Sequence, residues 1–245
     1  MKRGMIVTGA IIVLFSYSSS QTQQSKLPIL WNTFISIGYA DATSNDVRDY
    51  YNRIIDSYRL GGVSIPTQTK FGRTMYVNAG FLFTRLESIC FGFTMGYLYS
   101  PAFSNYKDYA GSLKVNGSVS SFEISIIIKT TLAKIGDFPI NLCVRPGINK
   151  TTSSITQELK YSDFPQNNYN AKWSVNAWGP CFQGTIGSSV PLDEFTISLE
   201  AGYRFSWNMV TPEKLESSIE NYSTPTSWNI GPSGFISLVS FGMKL

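Results

Sequence analysis

Apolar and polar residues alternate with period two through eight separate stretches of this 245-residue chain, and the connections between them alternate long and short. Period two puts successive side chains on opposite faces of an extended strand. The stretches run over residues 30–40, 71–86, 89–100, 118–134, 139–152, 172–190, 195–208 and 229–245. Short connections fall at 86–88, 135–138 and 191–194, and long ones at 41–70, 101–117, 153–171 and 209–228. Consecutive antiparallel strands place alternate connections at opposite ends. All short turns therefore lie at one end with both termini, and all long loops at the other.

The clearest alternation is in 89–100. Ile89, Phe91, Phe93, Met95, Tyr97 and Tyr99 share one face, and Cys90, Gly92, Thr94, Gly96, Leu98 and Ser100 the other. In 118–134, Phe122, Ile124, Ile126, Ile128 and Leu132 oppose Glu123, Ser125, Lys129 and Thr131. In 195–208, Phe195, Ile197, Leu199, Ala201, Tyr203 and Phe205 oppose Thr196, Ser198, Glu200, Gly202, Arg204 and Ser206. The phase of 172–190 is ambiguous. Trp173, Val175 and Ala177 suggest one face, Phe182 and Ile186 the opposite one, and a bulge at Pro180 would reconcile them.

The first long connection holds the one helical pattern. Val47, Tyr50, Tyr51, Ile54, Ile55 and Tyr58 recur at three-to-four spacing over 45–59. Ser44 or Asn45 is placed to cap it and Gly61-Gly62 to end it. Three placements are open for this helix: capping the barrel mouth, lying at a membrane surface, or docking a partner.

Lys2 and Arg3 precede an apolar stretch from Met5 to Phe15, followed by Ser18, Ser19 and Ser20. This is the layout of a secretory signal peptide over 1–20, cut near Ser20, with one mature domain over 21–245. The stretch is shorter than the ~20 residues that span a bilayer. The excess of 20 basic over 16 acidic residues includes Lys2 and Arg3 in that leader, so charge suggests no nucleic-acid partner. Cys90, Cys143 and Cys181 are odd in number and widely spaced, and read as small apolar fillers rather than a disulfide framework.

Which face points inward decides the solvent. Charged residues are only 15% of the chain and aromatic residues 14%, an unusual balance for a water-facing surface. The bulky faces are nearly unbroken, whereas the opposite faces combine small residues with isolated charges. Such charges inside a soluble carrier's apolar core are costly, while a narrow membrane barrel fills its lumen with side chains. Aromatic residues near strand ends (Tyr97, Tyr99, Phe103, Trp173, Phe205, Trp207, Trp228) suit interfacial girdles.

On these grounds the chain resembles the small, eight-stranded outer-membrane β-barrel proteins of Gram-negative bacteria, over essentially all of 21–245. The resemblance is architectural. It implies an all-β fold: a single closed, antiparallel, up-and-down transmembrane barrel of about eight strands, with one short amphipathic helix in the first long loop. It also implies a porin-like location in the cell outer membrane, outer-membrane lipid as surroundings, and barrel-insertion machinery as an assembly partner. Phe241, Met243 and Leu245 form the C-terminal insertion signal expected of that group, although its members often end in an aromatic residue.

Chemistry is sparse. The chain contains no histidine, which removes the usual general base and a common metal ligand. No phosphate loop, zinc-spaced cysteine set or calcium loop is present. The reading is therefore non-enzymatic, with no catalytic, cofactor or metal residues. The sharpest constellation is a lumen charge network of Glu123, Lys129, Arg145, Glu200 and Arg204, with Lys129, Arg145 and Glu200 at one height and Glu123 and Arg204 above them. Paired, these residues close the lumen; open, they line an ion path. The expected role is structural or surface interaction, with an extracellular protein or glycan at the long loops. The alternatives are a narrow channel or transporter for small or hydrophobic molecules, and a secreted lipocalin-like carrier.

Overall fold

A computed structural model describes residues 31–59, 74–86, 89–136, 138–210 and 227–244. The leader over 1–20, the helix stop at Gly61-Gly62 and the terminal Leu245 lie outside these residues. Eight long strands follow one another in the chain: β1 (Trp31–Thr43), β2 (Thr74–Leu86), β3 (Ile89–Lys107), β4 (Gly111–Ile135), β5 (Phe138–Tyr161), β6 (Tyr169–Leu192), β7 (Phe195–Ser206) and β8 (Ser233–Lys244). Each pairs antiparallel with its chain neighbour, and β8 pairs with β1, from Asn32 opposite Lys244 to Thr43 opposite Ser233. The ring is closed over the levels that all eight strands share; above them, among the described residues, β3 beyond Tyr99 lacks a β2 neighbour and β6 before Cys181 lacks a β7 neighbour. The β4–β5 turn uses Gly136 at φ 59°, and the β6–β7 turn uses Asp193 at φ 51°. The first is a left-handed position that glycine adopts freely, and the second one that aspartate tolerates.

Several strands run well past their expected ends, which corrects the reading of 101–117 and 153–171 as long loops. β3 and β4 are separated only by Asp108–Ala110, and β5 and β6 by a turn at 162–168 containing a single 3-10 segment, Pro165–Asn167. The Ser- and Asn-rich composition resembles a loop. Its backbone nonetheless stays in the ladder, because its inward side chains have something to cover.

That cover is the helix, α1 (Asn45–Arg59). Of the three placements open to it, the barrel mouth is the one found. Val47, Tyr50, Tyr51, Ile54 and Ile55 are buried against Leu113, Val115 and Val119 of β4, Ile155 of β5, and Trp173 and Val175 of β6. Tyr50, Trp173 and Trp228 form an aromatic trio with ring centroids 4.8–5.5 Å apart. Ser44 is the N-cap, accepting from the Val47 N–H at 3.4 Å while its own hydroxyl donates to the Asn229 carbonyl at 2.8 Å. Asp46, in the first helical turn, accepts from the Asn229 N–H at 2.7 Å. Asn229 belongs to a short ribbon, Trp228–Asn229 with Met209–Val210, so the start of the helix is anchored to the segment that leads into β8.

One level of the wall organises both faces. Phe122, Lys150 and Trp178 are neighbours across β4, β5 and β6. Below them, outward residues are bulky and apolar: Ile124 and Ile126 on β4, Ile148 on β5, and Phe182 and Ile186 on β6. Above them the same outward positions are Asn116 and Lys114, Thr156 and Glu158, Asn176 and Lys172. The inward face changes in the opposite sense. It is mostly polar below, with Glu123, Ser125, Asn149 and Arg145 beside Ile127, and mostly apolar above, with Val119, Val115, Ile155 and Val175 beside Ser121, Thr151 and Ser153.

This inversion corrects two expectations. The register of β5 with β6 runs without a shift from Ile140–Ser188 to Leu159–Tyr169, straight through Ile148–Pro180. No bulge reverses β6 at Pro180. Trp173, Val175 and Ala177 point inward and Phe182 and Ile186 outward on a strand of constant phase, because the apolar face itself changes side. For the same reason Trp173 and Trp228 do not belong to an outer girdle. They are 5% and 3% exposed, inside the mouth, whereas Trp178 and Trp207 are outward at 59% and 54%.

Replacing Ser44 by alanine removes both its cap bond and its tie to Asn229. We expect a loss of about 1 kcal/mol in local helix stability. It should be seen as faster amide exchange confined to α1, with exchange in β4 and β5 unchanged.

Candidate functional site

Below the mouth the lumen holds two buried ion pairs among polar side chains, beside an apolar cluster of Tyr76, Leu98, Ile236 and Leu238. Arg204 of β7 reaches Glu123 of β4, with Nε 3.1 Å and Nη2 3.0 Å from Oε2. The Tyr76 hydroxyl of β2 donates to the other carboxylate oxygen of Glu123, and Arg204 Nη1 donates to the Pro232 carbonyl. Arg204 Nη2 also lies 3.3 Å from Ser121 Oγ. One step nearer the short-turn end, Arg145 Nη2 donates to Glu200 Oε2 at 2.7 Å. Thr185 bridges this pair, accepting from Arg145 Nη1 at 3.2 Å and donating to Glu200 Oε2 at 2.8 Å. Both arginines are essentially inaccessible, at 1% and 0% side-chain exposure.

Each carboxylate has a glycine across the ladder. Gly96 is paired with Glu123, and a Cβ there would lie 2.9 Å from Glu123 Cγ and from the Tyr76 hydroxyl. Gly187 is paired with Glu200, and a Cβ there would lie 2.9 Å from Glu200 Cγ. These glycines give the carboxylates the width they need to reach across a narrow barrel.

Above the Arg204–Glu123 pair an amide cluster ties the lumen to the mouth. With the Asn149 amide donating to the Gly179 carbonyl at 3.0 Å, its oxygen accepts from Ser121 at 2.7 Å and Ser206 at 2.8 Å. Asn208 Nδ2 donates to the Asn149 and Ala177 carbonyls, both at 3.1 Å. Its backbone N–H donates to Asn229 Oδ1 at 2.9 Å. The chain of contacts thus runs from the upper ion pair to the residue that anchors α1.

The five residues expected to form a lumen network all sit on inward faces. Four of them make the two pairs. Lys129 lines a cavity with Arg145 and Glu200 but makes no ion pair among the described residues. Tyr76, Thr185, Ser121 and Asn149 were not anticipated. Tyr76 was nonetheless legible, because it lies between Met75 and Val77 on the polar side of its strand. Phe241 and Met243, from the expected insertion signal, point outward at 56% and 41% exposure. Among the described residues no group of three or more histidine, cysteine or acidic side chains is arranged to hold a metal.

No family model matches the chain, and no curated protein matches it. Among solved structures, one similar fold is Ail, the attachment invasion locus protein of Yersinia pestis, at 8% identity and a TM-score of 0.42, covering 87% of this chain and 98% of that one. Ail in complex with the heparin analogue sucrose octasulfate aligns at 11% identity and a TM-score of 0.36, covering 88% of this chain and 99% of that one. Neisserial surface protein A aligns at 12% identity and a TM-score of 0.38, covering 88% of this chain and 97% of that one.

Glu123→Ala leaves Arg204 buried without its carboxylate. We expect a loss of about 3–5 kcal/mol, the usual range when one partner of a buried pair is removed. Urea unfolding of the refolded barrel checks this. The double change Glu123→Ala with Arg204→Met should recover part of that loss.

Proposed function

We propose that this chain is an integral outer-membrane protein with a closed lumen, and that its projecting strands form an interaction surface outside the cell. The observation that carries the reading is the inversion at Phe122, Lys150 and Trp178. A sheet that is apolar outside and polar inside below one level, and the reverse above it, is matched to lipid below and to water above. Below that level Ile37 is 54%, Met95 61% and Leu199 62% exposed, and similar residues continue around the ring. Soluble monomers rarely expose so large a contiguous apolar surface. From Phe122 to Leu132 the outward face of β4 spans ten steps, about 34 Å along the strand and about 26 Å along a barrel axis tilted by about 40°. That is close to the ~25 Å apolar band of outer-membrane barrels. A soluble carrier of apolar ligands needs these side chains inward, so that alternative is set aside.

The lumen supports a closed barrel over a channel. Two side-chain ion pairs cross it, and the aromatic mouth plug lies above them. The reading assigns the chain no catalytic role.

The projecting wall of β3–β6 carries the surface. Lys107, Lys114, Lys160 and Lys172 are exposed on its outer side, against Glu158, bound to Lys160 at 2.5 Å, and Asp108 and Asp163 at the two tips. Asp108 at the β3–β4 tip accepts from the Tyr106 hydroxyl at 2.8 Å and from the Ala110 and Gly111 N–H groups. That hydroxyl, with the backbone donors, holds its carboxyl below the usual range, so it caps the turn as an anion. The net positive wall suits an anionic glycan as partner.

Three measurements test the reading. Unboiled protein from the membrane fraction should migrate faster on an SDS gel than boiled protein. Ile126→Arg should lose most of this folded band, at a cost of about 2–4 kcal/mol for a cation near mid-bilayer, while Asn116→Arg, above the band, should leave it intact. Unchanged folding of Ile126→Arg, or recovery of the protein without detergent, rejects the membrane placement. Planar bilayers should show no sustained conductance. On a heparin column, Lys114→Ser with Lys172→Ser should elute at lower salt than wild type.

A further inference from the structure

Where the outer face of the wall changes, its residues stand in rows fixed by the ladder. Ile124 of β4 and Ile148 of β5 are paired at the top of the apolar band. The next outward row is Phe122, Lys150 and Trp178, and Tyr97 of β3 lies beside Phe122. Above it come Ser120, Thr152 and Asn176, then Ser118, Ser154 and Ser174. The Ser118 and Ser154 hydroxyls are 2.9 Å apart. Lys150 is exposed, with its Nζ 6.0 Å from the centre of the Trp178 ring. Its outward neighbours in the wall are Ile148 and Thr152 along the strand and Phe122 and Trp178 across it, so none is a carboxylate. The four diagonal positions are uncharged as well.

A lipid whose tail lies against Ile124, Ile126 and Ile148 has its head group beside these rows. Tyrosine, tryptophan and a lysine reaching out of the apolar band are suited to that level. The rows above say which head group. From Lys150 to Ser154 is four steps along β5, about 14 Å. That is taller than a phosphate alone, and every group offered is a neutral hydroxyl or amide, which both donates and accepts. Going up the wall, the order is apolar band, cation, then hydroxyl and amide field. A phosphoglycolipid has the same order: acyl tail, phosphate, saccharide.

We propose that this stretch of outer wall is a seat for the phosphorylated saccharide head group of an outer-leaflet glycolipid. Lys150 takes the phosphate, Trp178 and Tyr97 flank it, and the rows of Ser120, Thr152 and Asn176 and of Ser118, Ser154 and Ser174 take the sugar hydroxyls. The proposal rests on the membrane placement given above, since only a lipid-facing band defines a head-group level. It concerns residues below Lys114 and Lys172.

Mature protein is refolded in a zwitterionic detergent, with the gel-mobility shift confirming a folded barrel in every sample. Native mass spectrometry then counts the lipid retained from micelles holding equal amounts of two lipids. Wild type should prefer diphosphorylated lipid A to its dephosphorylated form by about fivefold, the worth of one lysine near a charged head group. It should also prefer diphosphorylated lipid A to phosphatidylglycerol, which has a phosphate but no sugar. Lys150→Gln should abolish the first preference and keep the second. Thr152→Val with Asn176→Leu should weaken the second and keep the first. Lys134→Gln removes a cation at the opposite, short-turn end and should behave as wild type. The proposal is overturned by a folded wild type lacking either preference, by Lys150→Gln keeping the first, by the Thr152–Asn176 variant keeping the second in full, or by Lys134→Gln losing either. If Ile126→Arg folds unchanged, the membrane placement falls and this seat with it. If Ile126→Arg fails to fold and the lipid preferences are missing, the seat alone falls.

Discussion

A β-strand cannot rotate its side chains at will. Successive residues alternate between two faces, and in a closed ring a face once assigned inward stays inward for the whole strand. A strand that crosses from lipid into water must therefore change the chemistry of each face along its length. β4, β5 and β6 do so at one common height. Everything else follows from that constraint. Polar residues are forced into the lumen where the outside is apolar, and apolar residues are forced into it where the outside is wet.

The two halves solve opposite packing problems. In the lower half, polar side chains meet in a narrow space where an unpaired charge is expensive. Glutamates there reach arginines across the ring, with glycines opposite them to make room. In the upper half the interior is an ordinary apolar core, but a sheet alone cannot fill it. The chain supplies α1 for that purpose, folded in from the first connection and tied down at Ser44 and Asp46. The amide cluster of Asn149 and Asn208 joins the halves, satisfying polar groups on one side of the boundary while touching the helix anchor on the other.

Much of this was legible in the residues, and the misses have a common cause. The helix bounds, the ring of eight and the inward placement of Glu123, Lys129, Arg145, Glu200 and Arg204 follow from periodicity and the order of turns. The extended halves of β3–β6 did not follow. A stretch such as 101–117 looks like a loop unless one knows that its small apolar residues, Ala102, Leu113 and Val115, face a helix. Trp173 and Trp228 belong to the mouth rather than the girdle for the same reason, since Tyr50 packs against both from more than a hundred residues away in the chain. The ambiguous phase of β6 recorded the inversion directly. Two apolar sets on opposite faces of one strand are what a crossing between two solvents writes into a sequence.

The unequal strand lengths shape the crown. β3 continues beyond Ser100, which is near the last level reached by β2 at Thr74, and β4–β6 continue with it, whereas β7 and β1 stop at Ser206 and Thr43. Among the described strands the rim is therefore oblique, with a tall parapet on one side and a low sill on the other. The parapet is hydrogen-bonded almost to the three-residue tip that joins β3 to β4. Lys114 and Lys172 are thereby held on a backbone ladder at fixed spacing, an array of charges that needs no loop to be ordered before it can be used.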